Sequence, residues 1–136
     1  LNMGSVSSTV TVDNKTPYKW TVCILGYYDN KNKKFIVRPF QSLTETTQFY
    51  WKYPLVKLKY GECSESDCRD NSHLWYSFYY KDSPCFTIRE SGDRRHIHLD
   101  CSVRTYEGKQ TTCPNYGKME DDSQSWRWSF FSRHFR

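Results

Sequence analysis

Short segments with an apolar residue at every second position, separated by clusters of turn-forming residues, recur along almost the whole chain. That alternation is the period of a strand burying one face, and its repetition at short intervals restricts the fold to an antiparallel sheet protein. In "STVTV" Val10 and Val12 alternate with hydroxyl residues until Asp13, Asn14 and Pro17 break the run. In "YKWTVCILGYY" Tyr18, Trp20, Val22 and Ile24 hold one face, with Lys19, Thr21 and Cys23 between them. After turn residues at 29–33, "KFIVRPF" returns as a hairpin partner.

A polar link follows, and then "TTQFYWKY" places Thr47, Phe49, Trp51 and Tyr53 on one side and Gln48, Tyr50 and Lys52 on the other, ending at Pro54. "LVKLKY" repeats the pattern through Val56, Leu58 and Tyr60, and "HLWYSFYYK" through Leu74, Tyr76, Phe78 and Tyr80. "CFTIRE" and "RRHIHLDC" come next. The latter sets Ile97, Leu99 and Cys101 against His96, His98 and Asp100, and "SVRTYE" reads as a last short strand. Between them "GECSESDCRDNS" has no apolar period and reads as a stapled loop. The expectation is an all-β, single-domain antiparallel β-sandwich or barrel-like fold of roughly eight or nine strands, disulfide-braced and without a helix. Residues 1–7 are set aside as a disordered or processed N-terminus, and 8–136 form one β-rich domain.

The six cysteines, Cys23, Cys63, Cys68, Cys85, Cys101 and Cys113, are an even set without a CxxC pair. In a small domain they read as disulfide candidates formed in an oxidising compartment, with connectivity open. Secretion is the expected destination, with delivery into host cells as an extension of it. The sequon Asn14-Lys15-Thr16 fits a secretory route as a glycan acceptor. No apolar run approaches the roughly 20 residues that span a bilayer, and no basic region followed by an apolar segment marks a signal peptide, so the chain reads as mature or trimmed.

Net charge is +5, with Lys31, Lys33, Lys34, Arg38, Lys52, Lys57 and Lys59 followed at once by Glu62, Glu65, Asp67 and Asp70. Exposed loops on a rigid scaffold commonly carry recognition. The hairpin tip with Lys31, Lys33 and Lys34 and the acidic loop with Glu62, Glu65, Asp67 and Asp70 are therefore the expected contact residues. Aromatic residues make up 18% of the chain, a share that strands accommodate and that the gap between two sheets also draws on. Tyr27, Tyr28, Tyr50, Trp75 and Tyr79 fall off the core face, where they suit a protein interface or a stacked sugar.

His96, His98 and Asp100 alternate on one strand face, the spacing by which a strand converges ligands or a general acid and base. Three or four ligands are needed for zinc, and the cysteines are better paired with one another, so neither a metal nor another cofactor is expected. No catalytic residue is assigned, because no phosphate-binding Gly-rich loop, nucleophile elbow or catalytic cysteine signature is present. A small hydrolase acting on RNA or glycan, using His96 and His98 with Glu90 and Arg94 or Arg95, is the competing reading, and a membrane-active tail in residues 126–136 is a third.

The stretch "VTVDNKTPYKWTVCILGYYDN" (residues 10–30) resembles the first strand pair of ToxA-like fungal effectors, with a strand, an Asn-x-Thr turn and a second strand leading to Tyr-Asp-Asn. "VTVDNKT", Cys23 and "YYKDSPCFTIRESG" (residues 79–92) are similar to plant self-incompatibility protein homologues. Both likenesses imply a small, secreted, disulfide-bonded β-sandwich that works by binding. In length and cysteine use the chain looks like avirulence-type effectors of plant-pathogenic fungi. That implies a host protein or immune receptor as partner, with a glycan as the second class and nucleic acid not expected. Neither likeness carries a site motif onto particular residues.

Overall fold

The computed structural model describes residues 8–26, 32–94, 96–113 and 125–127, with backbone alone for residues 96 and 125–127. Among them two sheets face each other. The first is six-stranded, in the order β10(Ser125–Arg127), β8(His96–Arg104), β7(Ser83–Glu90), β1(Ser8–Asn14), β4(Ser42–Thr47), with β9(Gln110–Thr112) also pairing β8. The second is β3(Lys33–Val37), β2(Trp20–Leu25), β5(Leu55–Tyr60), β6(Leu74–Ser77). No helix among the described residues is long and apolar enough to cross a membrane.

The core lies where the alternation puts it. Val10, Val12, Phe86, Ile88, Ile97 and Leu99 of the first sheet meet Trp20, Val22, Ile24, Val56, Leu58, Leu74 and Tyr76 of the second, all buried. Each large side chain so buried contributes about 1.5–3 kcal/mol. Trp20 packs edge-on to Tyr60 with ring centroids 5.5 Å apart, and its indole Nε1 donates to Thr16 Oγ1.

Five features depart from the expected all-antiparallel, helix-free sandwich. β1 and β7 pair in parallel. The supposed polar link before "TTQFYWKY" belongs, together with Thr46 and Thr47, to strand β4, an edge strand whose Thr44 and Thr46 face outward and bond Thr11 and Thr9 of β1. "TTQFYWKY" is mostly a connection rather than a strand, and "RRHIHLDC" and "SVR" run together as β8. The acidic stretch contains a helix, α1(Glu65–Asp70), in place of a loop. Ser64 caps it by accepting from the Asp67 N–H, and Lys57 Nζ donates to the Arg69 carbonyl at its far end.

Helix α1 rests on the outer face of the second sheet, against β2 and β5. Every residue of β2 is consequently buried, Thr21 and Cys23 included. Of the cysteines, Cys101 and Cys113 form a disulfide, whereas Cys23, Cys63, Cys68 and Cys85 are thiols. The expected framework is thus one bridge, partly because Cys85 lies on the outer face of the opposite sheet from Cys23, between Thr11 and Ser102.

The sequon asparagine is structural. Asn14 is fully buried, its Nδ2 donates to the Tyr18 and Arg38 carbonyls, and its Oδ1 accepts from the Thr16 N–H and hydroxyl. A glycan on that nitrogen is incompatible with this packing.

Candidate functional site: an aromatic belt at one end of the sandwich

Leu25, Leu55 and Ser77 are register partners at one end of the second sheet, and Ser8, Thr47, Ser83 and Arg104 mark the same end of the first. The connections 48–54, 78–82 and 105–109 therefore gather there. The first is tied down along its length. Gly26 accepts from the N–H groups of Tyr50 and Trp51, the Tyr80 N–H donates to the Lys52 carbonyl, and the Phe78 N–H donates to that of Pro54. Phe49 turns inward, 2% exposed, and packs edge-on to Phe78 at 5.3 Å.

With Phe49 and Pro54 buried at its ends, the segment holds the rings between them outward. Tyr50 is 61% exposed, Trp51 38% and Tyr53 44%. Tyr53 lies 6.1 Å from Tyr79, which lies 5.0 Å from Tyr80. Lys81 Nζ sits 5.5 Å from the Tyr80 ring centre and 5.2 Å from that of Tyr106, itself 64% exposed, and Lys52 stands 5.6 Å over Tyr53. The result is a continuous belt of tyrosines and lysines, in which ring faces attract the ammonium groups.

Buried Asp82 fixes the Tyr106 end of the belt. Its N–H donates to the Tyr79 carbonyl and its Oδ1 accepts the Tyr106 N–H at 3.2 Å. Burial raises the Asp82 carboxyl above the ordinary carboxylate range, against the lowering effect of the Tyr106 N–H. Ser8 adds a further tie, its hydroxyl donating to the Tyr80 carbonyl.

The residues expected from the sequence are placed elsewhere. Lys31 lies outside the described residues, as do Tyr27 and Tyr28, and Lys33 and Lys34 open β3. Lys34 Nζ donates to the Cys63 carbonyl, which brings the basic hairpin beside the acidic segment. There Glu62 pairs with Lys19, Asp67 with Lys59, and both Glu65 and Asp70 with Arg69. The acidic residues thus meet cations within the fold, and the expected contrast of two oppositely charged loops is muted. His98 and Asp100 do share the outward face of β8, but the Asp100 carboxylate takes both Nε and an Nη of Arg89. Among the described residues no group of His, Cys, Asp and Glu is arranged to hold a metal ion.

Tyr50 is exposed as the sequence suggests, whereas Tyr79 and Trp75 are half-buried. Tyr80 is likewise half-buried, and the exposed Trp51, Tyr53 and Tyr106 were not legible as surface residues. The available signal was the run "YWKYP", where a strand pattern ends at Pro54 and cannot keep its facing.

No family model matches the chain, and no curated relative matches it. Among solved structures it is similar to one described as the NMR structure of the protein from Eubacterium rectale, with TM-score 0.40 and 10% identity, covering 71% of this chain and 88% of that one. At that score the likeness carries no argument.

Proposed function

We propose that the chain is a non-enzymatic binding protein that recognises a partner protein through the aromatic belt, acting as a secreted effector on a host protein, as its resemblance to fungal effectors implies. The observation that carries this reading is the segment 49–54, whose backbone is hydrogen-bonded to two neighbouring segments, at Gly26 and at 78–80, while Tyr50, Trp51 and Tyr53 remain in water. Burying such a ring would stabilise the fold by about 1.5–3 kcal/mol. Rigid backbone that withholds three of them from the core is what a ring-based contact surface requires. Tyrosine and tryptophan dominate interfaces because they offer large amphipathic area at low conformational cost. Lys52 and Lys81 favour a partner with an acidic rim.

A hydrolase centred on His96 and His98 has less support, since the nearest carboxylate on that face, Asp100, is engaged by Arg89. The test compares the wild-type chain with the triple variant Tyr50→Ser, Trp51→Ser, Tyr53→Ser in cross-linking to host extracellular and cytosolic proteins. Both are also incubated with RNA, cell-wall polysaccharides and a glycan array. The expected result is a protein partner lost by the folded variant, with no substrate cleaved. Cleavage abolished by replacing His96 and His98 with alanine would overturn the proposal. Binding to glycans alone, lost by the same triple variant, would keep the site and change the partner.

A further inference from the structure

Cys23 and Cys68 stand apart from the other thiols. Cys23 points away from the core on β2, and Cys68 is the buried residue of α1; both are fully buried and cluster with Leu25 and Leu55. Cys68 Sγ lies 3.6 Å from the Thr21 carbonyl oxygen and 3.6 Å from that of Lys57. Thr21 precedes Cys23 by two positions on the same strand face, and Lys57 is its direct cross-strand partner. Those two contacts set the Cys68 sulfur beside Cys23, whose own sulfur lies 3.9 Å from Glu65 Oε1 on the same helix.

The helix between them needs such an anchor. Six residues are far fewer than the roughly 12–15 at which an isolated helix becomes even marginal. Its other ties are the Ser64 cap, Lys57 on the Arg69 carbonyl and the Lys59–Asp67 pair, all at or near solvent. Cys63 is half-exposed, with its sulfur against Thr21 Oγ1 and the Tyr60 and Gly61 carbonyls.

The geometry points to Cys23 and Cys68 as a reversible redox pair, a second disulfide that clasps α1 to β2 when a low-molecular-weight disulfide such as glutathione disulfide oxidises it. When α1 lifts, the Cys23 thiolate attacks one sulfur of glutathione disulfide, forming a mixed disulfide and releasing one glutathione thiolate. Cys68 gives up its proton as it attacks the Cys23 sulfur, and the second glutathione leaves. Two protein thiols are oxidised, one disulfide is reduced to two glutathione thiols, and the protons of Cys23 and Cys68 end on them. Both sulfurs are buried between α1 and β2, so the exchange waits on the lifting of the helix.

The test uses the wild-type full chain, reduced, equilibrated with glutathione disulfide, blocked with iodoacetamide, and digested with trypsin and a glutamate-specific protease for mass spectrometry. Trypsin alone leaves Cys63 and Cys68 on one peptide, whereas cleavage after Glu65 separates them. The expected product links the Cys23 and Cys68 peptides and re-forms the Cys101–Cys113 bridge, so that of the six cysteines only Cys63 and Cys85 are blocked. A Cys23–Cys63 or Cys63–Cys68 linkage, or Cys23 and Cys68 both still blocked, overturns the assignment. A second readout is Tm, which should rise on oxidation in the wild type and not in Cys68→Ser; an equal rise in both would also overturn it.

Discussion

The carbonyl of Gly26 accepts the Tyr50 N–H at 2.7 Å, and the φ of +104° at Gly26 brings its Cα against the chain it holds. A Cβ there would lie 3.0 Å from Pro54 Cβ and 3.2 Å from Trp51 Cβ. Gly26→Ala therefore adds backbone strain of about 1–2 kcal/mol to a steric conflict. The expected outcome is a stability loss of about 2–4 kcal/mol in urea unfolding, accompanied by changed tyrosine and tryptophan fluorescence. A variant as stable as the wild type would show that this anchor does not hold the belt.

Phe49 and Tyr50 are neighbours with opposite fates, one 2% and the other 61% exposed. Phe49→Ala should cost about 3–5 kcal/mol through the cavity it leaves beside Phe78. Tyr50→Ala should change stability by less than about 0.5 kcal/mol while weakening partner binding. Chemical denaturation of the two variants side by side checks the contrast, and similar losses would refute the ring directions.

Asn14 joins β1 to the Thr16 turn and to Arg38 through four hydrogen bonds. Asn14→Ala strands buried carbonyls and an N–H, for an expected loss of about 2–4 kcal/mol. When the chain is produced through a secretory pathway, its folded fraction should show no mass shift on endoglycosidase treatment. Folded protein carrying a glycan at Asn14 would contradict the packing.

His73 accepts the Tyr60 N–H on Nδ1, and burial, reinforced by Lys59, lowers its pKa from 6.5 to about 3. The folded value lies below the unfolded one, so between those limits the unfolded chain takes up a proton that the folded chain resists. The contribution of neutral His73 is whole above pH 6.5 and is lost as pH falls toward 3. His73→Asn keeps an acceptor and cannot titrate in this range. Its stability should fall less between pH 7 and pH 4.5 than that of the wild type, as read by urea midpoints; identical slopes would remove His73 as the cause.

Local alternation determined the core strands. Val10 and Val12, Trp20, Val22 and Ile24, and Ile97 and Leu99 face inward because neighbouring side chains in extended chain must point to opposite sides. An all-β sandwich followed from those runs. No apolar period marks the six residues of α1, so the acidic stretch reads as a loop from the sequence alone.

The tertiary structure decided what alternation cannot reach. Thr21 and Cys23 occupy the polar side of β2 yet are buried, because α1 covers them. Strand β4 exists because β1 offers an edge, and β1 pairs in parallel with β7, a strand far along the chain that no local pattern ties to it. Phe49 points inward and Tyr50, Trp51 and Tyr53 outward because Gly26 and the segment from Phe78 to Tyr80 hold that connection from two distant parts of the chain. A strand's facing is a local property of the backbone, whereas a connection's facing is set by whichever long-range hydrogen bonds and buried neighbours capture it.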